Sequence, residues 1–229
     1  MSELILLAAS GLAREVLAMV RSSGQYDVLG LLDDDEELSG TSVDGAPVLG
    51  TIEDAVKFTH ALLLVCLDSG SARESVVERL TELGLTESRY ARAIDPTVRP
   101  PEGCRIGRGS ILLPNVTLTA SVTLGEHVVV MPGVTFTHDD DVADFATFAA
   151  GVSLGGAVRI GRAAYLGMNS SVRERTSVGA YARIGMGAAV LSNVPDGETW
   201  IGVPAHAIEY RYGPGASGPL KGYIGRSGP

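Results

Sequence analysis

Proton transfer near neutral pH is chemistry for histidine, because its charge changes there without special tuning. The chain offers four: His60, His127, His138 and His206. Only His138 sits where the six-residue repeat described below breaks, in Thr137-His138-Asp139 beside Asp140, with Asp141 following. An adjacent carboxylate fixes the imidazole tautomer and stabilises the imidazolium formed when the ring takes a proton. The same residues also read as a polar surface corner, the three aspartates forming a solvated patch or a calcium site, since hard cations favour carboxylate oxygens.

A second cluster lies near the start. Ala8-Ala9-Ser10-Gly11 joins an apolar run to an amphipathic one, so it opens a helix whose free N–H groups suit a phosphate. About twenty residues on, Asp33-Asp34-Asp35 ends the next apolar run, where a carboxylate can accept from a ribose or a uracil ring. The plainer reading is that Ser10 caps the helix and the aspartates form a solvated turn. The GxGxxG fingerprint is absent, and Cys66 and Cys104 stand far apart with no CxxC, so neither zinc nor a disulfide framework is expected.

These residues need a scaffold, and the sequence names one. Stepping by six from Ile106 through Leu112, Leu118, Leu124, Val130 and Phe136 to Val190 meets only Ile, Leu, Val or Phe. Four places after each stands a small or β-branched residue, from Ser110 to Val194, with Asp140 as the misfit. A helix would repeat at 3.6 and an ordinary strand at 2, so a sustained period of six predicts a β-helix solenoid. Three hexapeptides make one triangular coil, and five coils at a strand spacing of ~4.8 Å make a prism of about 24 Å. Gly107, Gly125, Gly161, Gly179 and Gly185 directly follow large positions, where bends between short strands are expected.

Before Pro96 the pattern alternates. Strands are predicted over 4–9, 28–32, 61–67 and 90–94, and helices around Leu12–Val20 and Ser71–Leu83, which together make a small parallel α/β unit of Rossmann type. The expected organisation is therefore an α/β domain over 1–95, a solenoid over 96–212 and a Gly/Pro-rich tail over 213–229, able to pack on a neighbour through Leu220, Tyr223 and Ile224.

Composition narrows the function classes. The chain has 229 residues, 45% hydrophobic, with a net charge of −9 that argues against a nucleic-acid partner. No apolar stretch reaches the roughly 20 residues of a membrane helix, and the N-terminus shows no basic leader, so a cytoplasmic protein without a membrane partner is expected. Twenty-nine glycines against 5% aromatics fit a repeat fold packed from small residues.

Taken together, Ala9-Ser10-Gly11 followed by Ala13-Arg14-Glu15-Val16-Leu17, Leu31-Leu32-Asp33-Asp34-Asp35, Pro47-Val48-Leu49-Gly50, Thr137-His138-Asp139 and Ile201-Gly202-Val203-Pro204-Ala205 resemble the hexapeptide-repeat sugar O- and N-acetyltransferases. The likeness to the sialic acid O-acetyltransferase and UDP-4-amino-sugar N-acetyltransferase type covers roughly 3–208. It implies a left-handed β-helix, a homotrimer, acetyl-CoA in grooves between prisms, a sugar or nucleotide-linked sugar as acceptor, and no metal. It also implies His138 as general base with Asp139 raising its basicity. Ser10, Gly11, Asp33, Asp34 and Gly50 would contact the nucleotide sugar, and Thr147, Gly167, Met168, Gly185 and Met186 would line the CoA groove.

This chain departs from that pattern at several positions. Ala8 and Ser10 replace glycines of the first loop, and Leu12 a histidine that commonly follows it. Met131 stands for an asparagine and Thr147 for a second histidine of members acting on 4-amino sugars. His206 stands for a lysine that meets CoA phosphates. Four other readings remain open: an acyltransferase with a non-standard donor or acceptor, a catalytically silent trimer that holds a nucleotide sugar, a solenoid used as a spacer, and a nicotinamide-dependent reductase built on the first loop and Asp33.

Overall fold

The computed structural model describes residues 1–208. The expected boundary at 212, the tail and its Leu220, Tyr223 and Ile224 lie outside the described residues.

The first unit is a three-stranded parallel sheet with helices. β1 (Ser2–Leu7) runs between β2 (Tyr26–Leu32) and β5 (Leu62–Val65). α1 (Gly11–Ser23) follows β1, and its apolar face of Leu12, Ala13, Val16, Leu17 and Val20 is buried. Gly24 closes it in the left-handed conformation and returns its N–H to the Val20 carbonyl. α2 (Gly70–Glu82) follows β5. A hairpin of β3 (Ser42–Val43) and β4 (Ala46–Pro47), absent from the sequence reading, carries Val48 back to bridge Leu31.

The strand expected over 90–94 divides. Tyr90 makes one parallel bridge to Leu63, whereas β6 (Ala93–Ile94) pairs with Ile111–Leu112 of the solenoid. The chain thus passes between the domains along a strand rather than through a linker.

The solenoid repeats as expected: fifteen two-residue strands run from Arg105–Ile106 to Ala189–Val190, each ending on a large inward residue. They form three faces. The first holds Arg105–Ile106, Thr123–Leu124, Asp141–Val142, Arg159–Ile160 and Ser177–Val178. The second begins at β6 and holds Ile111–Leu112, Val129–Val130, Thr147–Phe148, Tyr165–Leu166 and Arg183–Ile184. The third holds Thr117–Leu118, Thr135–Phe136, Ser153–Leu154, Ser171–Val172 and Ala189–Val190. Eighteen-residue register holds through these faces, for example Thr123 on Asp141 and Asp141 on Arg159. Inside, the large and small positions form one continuous core in which Phe136 meets Phe148 edge to face at 4.9 Å.

The bends differ from expectation. Every sixth residue from Gly109 to Gly187 has positive φ, including His127, Asp139, Phe145 and Tyr181, and this is where the chain turns its corners. Gly107, Gly125, Gly161 and Gly179 do not turn the chain. Each lies against the backbone of the next coil, where a Cβ would collide. These glycines set the close approach of stacked coils, and stacking in turn holds non-glycine residues in a conformation they otherwise avoid.

The α/β unit covers the second face and the corner leading into it. Leu4, Leu6, Val16 and Val20 share a core with Ile111, Leu113 and Val129, and Ile5, Val77 and Tyr90 share another with Phe145 and Ala163. The corner between third and first faces lies opposite this covered face.

Candidate functional site

His138 and Asp139 sit on that opposite corner. Asp139 takes the left-handed turn position, φ 61°, which swings its carboxylate to the neighbouring imidazole. His138 Nδ1 and Asp139 Oδ2 are 2.8 Å apart, and both side chains are largely exposed, 66% and 61%. With the ionised carboxylate accepting, Nδ1 carries the proton and Nε2 presents a free lone pair. The ring rests over Gly156 of the next coil, and a Cβ there would strike Nε2 and Cε1. The coil below His138 is Gly155-Gly156-Ala157, so the corner has a shallow notch with backbone as its floor.

Asp140 is neither solvated nor part of a metal site. It is 1% exposed, and its two oxygens accept from Thr137 N and Val158 N, each at 2.9 Å. Burial pushes its carboxyl up to about 6 despite those bonds. Ser110, at the same position of an earlier hexapeptide but at another corner, likewise bridges coils through Val128 N and the Gly125 carbonyl. The misfit is a polar staple that fixes the turn holding His138. Among the described residues no group of three or more His, Cys, Asp or Glu side chains is arranged to hold a metal.

The N-terminal candidates come together around the C-terminal ends of β1 and β2. Ser10 caps α1 by accepting from Ala13 N and donates to the Cys66 carbonyl at 2.5 Å. Asp33 accepts from Ala9 N at 2.6 Å and Asp35 N at 2.8 Å, and its own N–H donates to the Gly50 carbonyl. Asp34 accepts from Ile52 N and pairs with Arg79 at 2.6 Å. Gly50, at φ 151°, packs so closely on Asp54 that a Cβ would collide. A Cβ on Gly11 would meet nothing, so the mouth of this cluster opens to solvent above the helix N-terminus. The capping role of Ser10 is thus real, and the aspartates organise the loops as well as facing outward.

The groove candidates divide. Gly167, Met168, Gly185 and Met186 stack on the corner between second and third faces, where Met168 is 46% and Met186 75% exposed. Gly167 lies against the backbone of Ile184, Gly185 and Met186, so these two coils stack closely with their methionines outward. Thr147 departs from expectation. It is buried between the domains, where its hydroxyl donates to the Asp68 carbonyl and accepts from Arg73, and so it lines no open groove. The second face is where the α/β unit docks, and an outward side chain there becomes interior.

That interface holds the residue that sequence reasoning missed. Arg73 is fully buried and donates to the carbonyls of Leu67, Asp68, His127, Phe145 and Ala146 as well as to Thr147 Oγ1. Burial lowers its guanidinium to about 9, against the opposing pull of the Asp68 charge. Its signal was available: Arg73 lies three, four and seven places before Val76, Val77 and Leu80, hence on the apolar stripe of α2. His127 is also buried, stacked on Phe145 and edge-on to Tyr90, and burial lowers its pKa to about 4. It is packing material, neutral at pH 7.

Residues 3–80 match the family model described as the PglD N-terminal domain. A curated UDP-3-O-acylglucosamine N-acyltransferase of Caulobacter sp. (strain K31) is 36% identical over 61 residues, 27% of this chain, and the match spans only 18% of that protein's length. Among solved structures, the acetyltransferase domain of PglB from Neisseria gonorrhoeae FA1090 in complex with acetyl coenzyme A is 27% identical. That match covers 90% of this chain and 99% of that one at TM-score 0.82. WeeI from Acinetobacter baumannii AYE is 26% identical, covering 91% and 100% at TM-score 0.80. PerB from Caulobacter crescentus in complex with CoA and GDP-perosamine, 23% identical, shares the fold over 91% and 98% at TM-score 0.81.

Proposed function

We propose that the chain is a hexapeptide-repeat sugar acetyltransferase, its solenoid being the left-handed parallel β-helix of the similar structures, and that it transfers an acyl group from acyl-CoA, acetyl-CoA in the first instance, to a nucleotide-linked sugar. The observation that carries this reading is the His138–Asp139 pair over the Gly156 notch. The acceptor group is an amine or a hydroxyl. The N-acetyltransferases among the similar structures favour the amine.

In this reading His138 Nε2 removes the acceptor proton as the acceptor amine or hydroxyl attacks the thioester carbonyl, while Asp139 holds Nδ1–H and stabilises the imidazolium. The C–S bond then breaks, and CoA leaves as a thiol carrying the proton from the imidazolium. Ser10, Gly11, Asp33, Asp34 and Gly50 frame the nucleotide and diphosphate, with free N–H groups at the start of α1 facing the phosphates. Met168 and Met186 hold the pantetheine arm, which delivers the thioester.

Geometry also argues for more than one chain. His138 stands on the corner opposite the face that carries the nucleotide cluster, and the methionines stand on a different corner from His138. A catalytic centre that uses all three is assembled between copies, and a trimer of prisms around a common axis closes it.

The deciding assay follows free thiol release from acetyl-CoA with a panel of amino and neutral nucleotide sugars, reading product mass in parallel. His138→Ala is expected to lose roughly 10²–10⁴-fold in turnover while still binding the acceptor. Turnover indifferent to His138, or binding without any release, would remove the catalytic reading in favour of a nucleotide-sugar-binding protein.

A further inference from the structure

Between α1 and the solenoid lies a cavity of about 380 Å³, within the range of about 300–1,000 Å³ that small-molecule sites occupy. One wall is helix: Glu15, Ala18, Met19 and Ser22 are spaced i, i+3, i+4 and i+7, so they share one flank of α1. Gly11, above which the mouth is open, stands four places before Glu15 on that flank. The cavity therefore begins one helical turn, about 5.4 Å, from the N–H groups that face the diphosphate. The other wall holds Pro114 and Pro132, which stand eighteen residues apart on the corner between second and third faces. Met168 continues their column two coils further on, about 10 Å away.

Two carboxylates line this space, Asp95 and Glu15. Asp95, which follows β6, is only 7% exposed, and Thr97 occupies its Oδ1 with both the backbone N–H at 2.9 Å and the hydroxyl at 2.6 Å. Thr97 Oγ1 accepts in turn from Asn115 N, beside Pro114, so the carboxyl is tied to the same corner. Among the described residues Asp95 Oδ2 has no hydrogen-bond partner, and no arginine or lysine pairs with it. Glu15 is exposed and likewise unpaired, because Arg14 and Arg21 are both drawn to Asp44. Two carboxylates repel a phosphate, so this space is chemically distinct from the start of α1. Acceptor oxygens facing a wall of proline, methionine and alanine suit a ring that carries hydroxyls on one side and C–H groups on the other.

We propose that this cavity takes the sugar ring of the acceptor, and that Asp95, with Glu15 at the end nearer the nucleotide, selects the ring by accepting from its hydroxyls. In this arrangement the diphosphate lies at the start of α1, the ring one turn along the helix, and the pantetheine arm beyond it on the same corner at Met168. His138 of a neighbouring copy meets the ring from its open side. The substrate class that follows is a polyhydroxylated pyranose. A ring without those hydroxyls leaves a desolvated carboxylate oxygen with no donor, a loss that discriminates more strongly than packing against an apolar wall. The inference rests on the acyl-transfer reading for calling the ligand an acceptor, but binding of the ring can be measured without turnover.

The test uses full-length Asp95→Asn, Glu15→Gln and Ala18→Trp, each first shown to melt and sediment like the parent. Asparagine keeps an oxygen for Thr97 and removes the charge from the cavity, while tryptophan at the exposed Ala18 fills the space without entering the core. UDP-glucose is titrated against UDP, and GDP-mannose against GDP, and the ratio of the two affinities is the sugar preference. The parent is expected to bind the nucleotide sugar of at least one pair about tenfold tighter than its diphosphate, and Asp95→Asn to cut that preference to about twofold. Glu15→Gln should lose less, and Ala18→Trp should lose the preference entirely, while free UDP and GDP bind all four proteins equally. No preference in the parent, or the same preference in all four proteins, would overturn the pocket. A parallel loss of the free diphosphates would overturn it as well, by returning the cavity to the nucleotide. Failure of the acyl-transfer reading has a separate signature: no thiol release from the parent, with the graded sugar preference intact.

Discussion

The imidazole of His138 owes its position to two neighbours with opposite demands. Asp139 needs the left-handed corner to reach Nδ1, and Gly156 must have no side chain for the ring to lie down. Gly156 is outside the left-handed region, so Gly156→Ala is compatible with the backbone and acts on the ring alone. Its expected effect is at least a tenfold fall in kcat, as befits a displaced base, with the melting temperature within a few degrees of the parent. Two buried groups shape the acid limb of stability with opposite sign. His127, held near 4 when folded, binds protons more readily unfolded, so its contribution is lost as pH falls from about 6.5 toward 4. Asp140, raised to about 6, binds protons more readily folded, so its contribution grows as pH falls from about 6 toward 4. Melting followed over this range should therefore show a muted slope in the native protein, a steeper loss on acidification in Asp140→Ser, and a gain on acidification in His127→Phe.

At the scale of elements, the joint between α2 and the solenoid decides whether the two halves act as one body. Gly70 begins the helix where a Cβ would meet the Phe145 carbonyl, and one turn later Arg73 enters the gap so opened. Its bonds reach both Leu67 and Asp68, just beyond β5, and the corner residues His127, Phe145 and Ala146 of the solenoid. Arg73→Met leaves buried carbonyls without donors, and a loss of about 3–5 kcal/mol in unfolding free energy is expected. Chemical denaturation of the pair Arg73→Met and Arg73→Lys checks it. Lysine keeps one charge but cannot span carbonyls on both sides, so it should recover less than half of the loss.

For the whole molecule the informative quantity is which chain supplies which group. If His138 of one copy serves the nucleotide cluster of another, two inactive variants should complement each other. Mixing His138→Ala with Gly11→Trp, which blocks the open mouth above α1, is expected to restore thiol release after the oligomers are dissociated and reassembled together. Each variant alone should stay inactive, and sedimentation of the parent should give three times the chain mass. Activity no greater than the sum of the separate variants would place the whole centre within one copy.

Much of this architecture was legible because a solenoid is nearly one-dimensional: each coil packs only on its neighbours, so a period of six in Ile106 to Val190 fixes strands, inward positions and stacking at once. His138 was legible for a related reason, as a histidine paired with a carboxylate at the place where the small-residue rule breaks. What lay beyond the sequence depended on contacts distant along the chain. Thr147 looks outward in its own repeat and becomes interior only because Arg73, 74 residues earlier, is brought against it. Asp140 changes from solvated acid to buried staple because Val158 N arrives from the next coil. The sequence by itself determined the periodic prism and the small parallel unit before it, and it singled out the histidine proposed as base. The tertiary structure alone decided which face of the prism is covered, and hence that His138 and the cluster of Ser10, Asp33 and Gly50 stand on opposite sides of one chain, because that choice depends on how two separately patterned surfaces fit.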